Sequence, residues 1–243
     1  MTLLGRARSA EIIAGVGSAS EAGAARPGVE PAAVTNRWAP GRTEAFSDGV
    51  FAIAITLLVL DIHVPESEFD DLWAAIWDQW PSYLGYATSF ITIGALWLAH
   101  HGVFRRLQYV NDRIMRINLL LLMAVAFLPF PTRLVADALR GADTERAAVV
   151  FYGASLLVIS LLLGALWASA ARDRHLLKPE VTDEEVHALL LATTPSIGFY
   201  VVLIGVSIVV PTVAAFGYLV IGIISVLRAR GDVLAQPRKA TPA

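Results

Sequence analysis

The sequence contains no cysteine, so disulfide bridges and thiolate metal sites are excluded. Charge is also scarce. Asp, Glu, Lys and Arg make up 16% of the 243 residues, against roughly a quarter in soluble domains. A formal net charge of −2 provides no basic surface for a nucleic acid, and none is expected as a partner. Catalytic signatures are missing too: there is no Gly-x-Ser-x-Gly run, no His-Glu-x-x-His metal helix, and no pair of acids within an apolar run. The adjacent His100 and His101 point about 100° apart on a helix and make a poor metal site. No enzymatic activity, cofactor or metal centre is expected.

What remains is apolar. Hydrophobic residues make up 56% of the chain, and the mean hydropathy is +0.61. The few charges cluster and leave long uncharged runs between them. A helix crossing the hydrocarbon needs about 20 apolar residues. Six runs serve: Ala45–Val64, Trp80–Phe104, Ile114–Val135, Ala147–Ala170, Leu189–Val210 and Thr212–Leu227. The last two share one uncharged stretch from His187 to Leu227, which as a single helix measures about 60 Å, twice the hydrocarbon core. A hairpin at Pro211 resolves this, because proline disrupts a helix interior and pre-sets a turn. Pro195 either kinks the fifth span or begins it. The expected fold is an all-α membrane protein of six transmembrane helices.

All but three of the 19 basic residues fall on one side of these spans. They lie in the N-terminal flank, in the second loop (Arg105, Arg106, Arg113, Arg116), in the fourth (Arg172, Arg174, Lys178) and in the C-terminal tail. The exceptions, Arg133, Arg140 and Arg146, lie near the third loop. The positive-inside rule puts both termini in the cytoplasm, an alternation that requires an even number of spans. Residues 1–40 read as a disordered cytoplasmic tail, poor in large apolar residues and lacking a signal-peptide core, with a second tail over 231–243. The six-span domain then occupies 41–230, multi-pass in the cell membrane. The first loop carries Glu66, Glu68, Asp70 and Asp71 and reads as an ordinary solvated loop, with a cation-gathering external mouth as the alternative.

The first span is no generic anchor. Asp48 sits a turn or two inside the membrane, where an unpaired carboxylate is costly, so it requires partners. At 100° per residue, Phe46, Ile53, Leu57, Leu60 and Val64 fall within an arc of about 60°, with Gly49, Val50 and Thr56 on the margins. Asp48 lies roughly opposite. Depth brings Ser47 and Asp48 level with Trp97 and His101 on the second span and Asn118 on the third, and buried polar groups at one level need each other. His101 or Asn118 is the expected chief partner of Asp48. His100 is the residue of this group for which a wet position at the membrane surface is equally acceptable.

The run Arg42-x-x-x-Phe46-Ser47-Asp48, followed by Gly49-Val50-Phe51-Ala52-Ile53-Ala54-Ile55-Thr56-Leu57-Leu58-Val59-Leu60, closely resembles the lysosomal potassium channel family of the transmembrane protein 175 type, especially its prokaryotic members. So do Trp97-Leu98-Ala99-His100-His101-Gly102-Val103-Phe104-Arg105-Arg106 and the stretch from Asn118 into Phe127-Leu128-Pro129-Phe130-Pro131-Thr132. The likeness covers about residues 42–135; beyond residue 140 only length and hydropathy agree. The resemblance implies a potassium-permeable channel, a homotetramer of single six-span chains whose first helices line a central pore. It implies Ile53, Leu57 and Leu60 as an apolar constriction and Thr56 as a polar layer beside it. Arg42, Phe46, Ser47 and Asp48 become a structural motif held by Trp97, His101 and Asn118. Potassium ions, the bilayer and further copies of the chain are the implied partners.

The Thr-Val-Gly-Tyr-Gly filter loop of ordinary potassium channels is missing, and Phe216-Gly217-Tyr218 reads as small-residue helix packing. A narrow apolar ring instead gates by dewetting. An ion must shed water to cross it, and potassium holds its water less tightly than sodium, so modest selectivity is expected. Without the resemblance, the same stripe reads as plain helix packing. A secondary transporter of a cation or small solute is the rival, with Pro129, Pro131 and Pro195 as candidate helix breaks. Trp167 reads as an interfacial anchor.

Overall fold

Proline and capping side chains set most helix boundaries in the computed structural model, which describes residues 38–64, 70–140 and 145–234, with side chains throughout except at 189–196 and 229–234. The helices are α1 (Gly41–Leu57), α2 (Leu72–Asp78), α3 (Trp80–Arg106), α4 (Asp112–Phe127), α5 (Pro129–Ala138), α6 (Glu145–Arg172), α7 (Asp183–Val209) and α8 (Pro211–Leu234). Short 3-10 turns follow α1 (Leu58–Asp61) and α6 (Arg174–Leu176). Among the described residues there is no strand, only two isolated bridges.

Asn111 caps α4 by accepting from the Ile114 amide at 3.0 Å. Thr182 caps α7 the same way from the Glu185 amide, and Asp183, Glu184 and Glu185 complement the positive end of that helix. Pro129 has no amide proton to donate to the preceding turn, so the chain breaks at Leu128 and restarts as α5. Pro211 likewise opens α8 directly after Val210, which confirms the expected hairpin. Pro195 neither begins nor interrupts α7, which starts twelve residues earlier at Asp183, after its Thr182 cap. At the other end α8 continues to Leu234, past Gly231, where the sequence reading begins the tail. Expectations for residues 1–37, 65–69 (with Glu66 and Glu68) and 235–243 lie outside the described residues.

Among the described residues, four helices are long and apolar enough to cross a membrane: Gly41–Asp61, Asp112–Ala138, Glu145–Arg172 and Pro211–Arg228. The expected count was six. The difference at α3 has a physical cause. Its buried face mixes Ser82, Gly85, Thr88, Ser89, Thr92 and His100 with Ile93, Leu96, Val103 and Phe104, and those polar and small residues lower its hydropathy.

α3 packs on α8 and α5, α6 on α7, α4 and α5, and α7 on α8. Small residues set these approaches. A Cβ on Gly217 would stand 2.7 Å from Leu203 on α7, and one on Gly153 would stand 2.0 Å from the Tyr218 hydroxyl. Phe216-Gly217-Tyr218 is thus a packing feature, as expected. Inside the bundle a chain of hydroxyls joins three helices. Thr132 donates to the Leu128 carbonyl at 2.8 Å, leaving Ser89 to donate to Thr132 at 2.7 Å and Tyr152 to donate to Ser89 at 3.0 Å. Trp167 is fully buried within the bundle, a correction to its expected place at the interface. A lone Trp near a helix end fits either position, and the phase of α6 decides.

Three connections meet at one end. Trp38 exchanges two backbone bonds with Val110, at 2.9 and 2.8 Å, and Gln108 donates to the Leu176 carbonyl at 2.7 Å. Leu107, Val110, Leu176 and Leu177 are buried between them. The start of α1, the α3–α4 loop and the α6–α7 loop therefore share one face of the bundle. The positive-inside reading grouped these same segments together. Gly153→Ala should cost about 1–3 kcal/mol by overpacking against Tyr218. Gly164→Ala, where a Cβ meets nothing within 4 Å, should leave the thermal midpoint in detergent unchanged.

Candidate functional site

α1 touches the rest of the chain along a narrow strip. Ser47, Phe51, Ala54 and Leu58, spaced four, three and four apart, are its buried residues, packed toward α4 and α3. Polar bonds flank this strip. Ser47 Oγ donates to the Thr43 carbonyl at 2.8 Å and accepts from Asn118 Nδ2 on α4 at 3.0 Å. Asn118 Oδ1 then stands 2.8 Å from His100 Nε2 on α3. With the amide proton committed to Ser47, Nε2 carries the proton and donates. All three residues are buried, so the chain is dry and directional. The His100 ring lies 4.5 Å from that of Phe104, stacked, and 5.4 Å from that of Phe51. Its Nδ1 is buried without a hydrogen-bond partner among the described residues.

Asp48 lies at the edge of the strip and accepts from the Trp97 indole nitrogen at 2.8 Å. Its chief partner is therefore neither His101 nor Asn118, as the sequence reading had it. Asn118 is occupied by Ser47 and His100. His101 stacks on Trp97 at 5.7 Å and brings Nδ1 to 2.9 Å from Glu44. The two histidines also exchange expected roles. His101 is half-exposed, whereas His100 is fully buried and does not sit wet at the surface. A signal for this was present: His100 continues the small-residue stripe of α3 at intervals of three and four from Gly85 through Ser89, Thr92 and Leu96.

The opposite face of α1 is bare. Phe46, Ile53, Leu57 and Leu60 are 58%, 60%, 42% and 70% exposed, and nothing else in the described chain covers them. Thr56 lies among them and donates its hydroxyl to the Ile53 carbonyl at 2.9 Å, which keeps its lone pairs outward. The bare stripe ends earlier than the wheel proposed. The 3-10 turn at 58–61 tightens the helix, and Ile62 is extended, so Val64 is off the helix. Arg42 is exposed and makes no hydrogen bond or ion pair among the described residues. Phe46 touches no partner that would make it an anchor within one chain.

A family model described as the endosomal/lysosomal potassium channel TMEM175 matches residues 42–129, the stretch from Arg42 to the break before α5. A potassium channel of Streptomyces collinus is 46% identical over 142 residues, 58% of this chain and 69% of that one. One from Chamaesiphon minutus is 40% identical over 172 residues, 70% and 84% of the two chains. The chain belongs to the TMEM175 family. It is of the prokaryotic type, and the family is one of ion channels, not enzymes. A TMEM175 proton channel of Danio rerio is 38% identical over 150 residues, but these span only 29% of its length. The crystal structure of the lysosomal potassium-selective TMEM175 homolog from Chamaesiphon minutus superposes with a TM-score of 0.71 at 38% identity, covering 78% of this chain and 97% of that one. The likeness thus extends past residue 140, where the sequence alone showed only matching length and hydropathy. The matched stretch begins at Arg42 and so includes the part of α1 that carries both polar anchors.

Trp97→Phe preserves the ring stack but leaves Asp48 without its donor, and should destabilise the fold by about 1–3 kcal/mol. In a double-variant cycle with Asp48→Leu, the two losses should fall short of additive by at least about 0.5 kcal/mol, read from thermal unfolding in detergent.

Proposed function

We propose that the chain forms a potassium-permeable channel in which four copies bring the bare faces of α1 around a central axis. The single observation that carries this reading is the contrast between the two sides of α1. One side is fixed by buried directional bonds, and the other presents Ile53, Leu57 and Leu60 to whatever lies outside the chain. Each chain contributes six spans (α1, α3, α4 with α5, α6, α7 and α8), with both termini in the cytoplasm of a cell whose plasma membrane holds it. The gathering of the α1 start and the two arginine-bearing loops at one end supports that topology.

In this arrangement Ile53, Leu57 and Leu60 form rings of apolar side chains, the barrier to conduction. Such a constriction dewets, and an ion crosses it only by losing part of its hydration shell. Potassium surrenders water more readily than sodium, so a preference arises without carbonyl coordination. Four Thr56 hydroxyls supply a polar layer within the same stretch. Phe46 packs against the neighbouring copy, which accounts for a motif phenylalanine that is bare within one chain. Ser47 and Asp48 do not touch the ion; they hold the helix that does, through Trp97 and Asn118, while His101 braces the start of α1 through Glu44.

The break at Leu128 before Pro129 is the one feature that favours a secondary transporter, since interrupted helices frame transporter sites. Planar-bilayer recording of purified protein in asymmetric potassium and sodium separates the two readings. A channel gives current that grows linearly with the gradient, without proton or sodium coupling, and a reversal potential displaced toward potassium. Leu57→Ala should raise conductance and move the reversal potential toward zero. Silence in several lipid compositions would overturn the reading. Asp48→Ala should reduce tetramer recovery on size exclusion more than it alters selectivity; a changed selectivity with intact assembly would place Asp48 in the conduction path instead.

A further inference from the structure

We infer that α2 is a membrane-interface helix whose Trp73 and Trp77 indoles seat among the lipid headgroups and upper acyl chains. This goes beyond the conduction reading and stands without it. α2 buries Ala75 against the bundle and turns Trp73 and Trp77, four residues apart, outward at 76% and 75% exposure. Trp80 and Tyr83 extend the same exposed aromatic surface onto the first turns of α3. The helix is fixed in place: Asp71 caps it, and the Tyr83 hydroxyl donates to the Ile76 carbonyl at 3.0 Å.

Several indoles side by side form an apolar patch far larger than a solvated loop carries. Two observations identify lipid as what covers it. Arg140 bonds Gln79 and, at 2.7 Å, Ser82 at the α2–α3 junction. A guanidinium is costly within the hydrocarbon, so this junction lies at headgroup level, and α2 lies beside it. Trp is the side chain that favours that level, with an apolar ring and one N–H to hydrate. Charge complementarity also selects the lipid. The stretch from Val64 to Phe104 has no Lys or Arg, while α2 carries Asp71 and Asp78 at its ends. Attachment is thus by indole burial, suited to zwitterionic headgroups, and independent of salt.

The lack of native cysteine makes the test direct. Trp73→Cys and Trp77→Cys in the full chain are nitroxide-labelled in phosphatidylcholine vesicles, with exposed Glu180→Cys as the aqueous reference. Collision with oxygen and with a water-soluble nickel chelate is then measured. Oxygen access several-fold above nickel access, unchanged between low and high salt, supports the inference. The expected depth is within about 10 Å of the phosphates. Nickel access equal to that of Glu180→Cys, or poor access by both reagents as in a contact between copies, overturns it. A second measurement needs no label. Brominated lipids should quench the unaltered protein's tryptophan emission more than that of Trp73→Phe/Trp77→Phe; equal quenching overturns the inference.

Discussion

The bond chain from His100 through Asn118 to Ser47, with the Trp97–Asp48 bond beside it, fixes the angle at which α1 meets the bundle. The apolar strip beneath α1 has only three residues, Phe51, Ala54 and Leu58, and alone it would tolerate rotation of a smooth helix. Hydrogen bonds tolerate far less, because a turn of a few tens of degrees would leave the half-buried Asp48 carboxylate, the Trp97 indole N–H and the Asn118 amide without their partners. The outward aim of Ile53, Leu57 and Leu60 is a consequence of that constraint. Their apolarity alone does not direct them anywhere.

The remaining helices form the platform that makes such anchoring possible. α3 does double duty. Its hydroxyl and glycine stripe binds α5, α6 and α8, and its last turns present Trp97, His100 and His101 to α1. Close approach at Gly153 and Gly217 brings α6, α7 and α8 together without a large apolar interface between α1 and that half. Thus the second half, which carries no recognisable motif, supports a first half that carries all of them. At one end of the platform, the backbone bonds from Trp38 and Leu176 to the α3–α4 loop fix the entry of α1 to the same frame.

Hydropathy runs and Pro211 were enough to mark where most of the long helices lie, since a missing amide proton and a stretch without charge act locally, but the break at Leu128 fell inside one expected span. The bare stripe of α1 was legible for the same reason: helical phase needs only spacing. Asp48 also marked the stretch that carries the polar anchors of α1, because a carboxylate inside an apolar run demands an explanation before any fold is known. Where spacing changed, the reading failed, as at Val64 beyond the 3-10 turn.

The choice among partners was not local. Trp97, His101 and Asn118 all lie at the depth of Asp48, and depth is one coordinate of three; rotation of α3 and α4 about their axes determines which nitrogen arrives at the carboxylate. The rotation of α3 is held by Ser89, which bonds Thr132 on α5 and Tyr152 on α6 about two turns away from Trp97. The same rotation buries His100 and half-exposes His101, and burial of Trp167 follows the phase of α6. The sequence by itself determined which groups need partners. Only the tertiary structure decided which partners they found, because hydrogen bonds depend on orientation across helices that no single helix specifies.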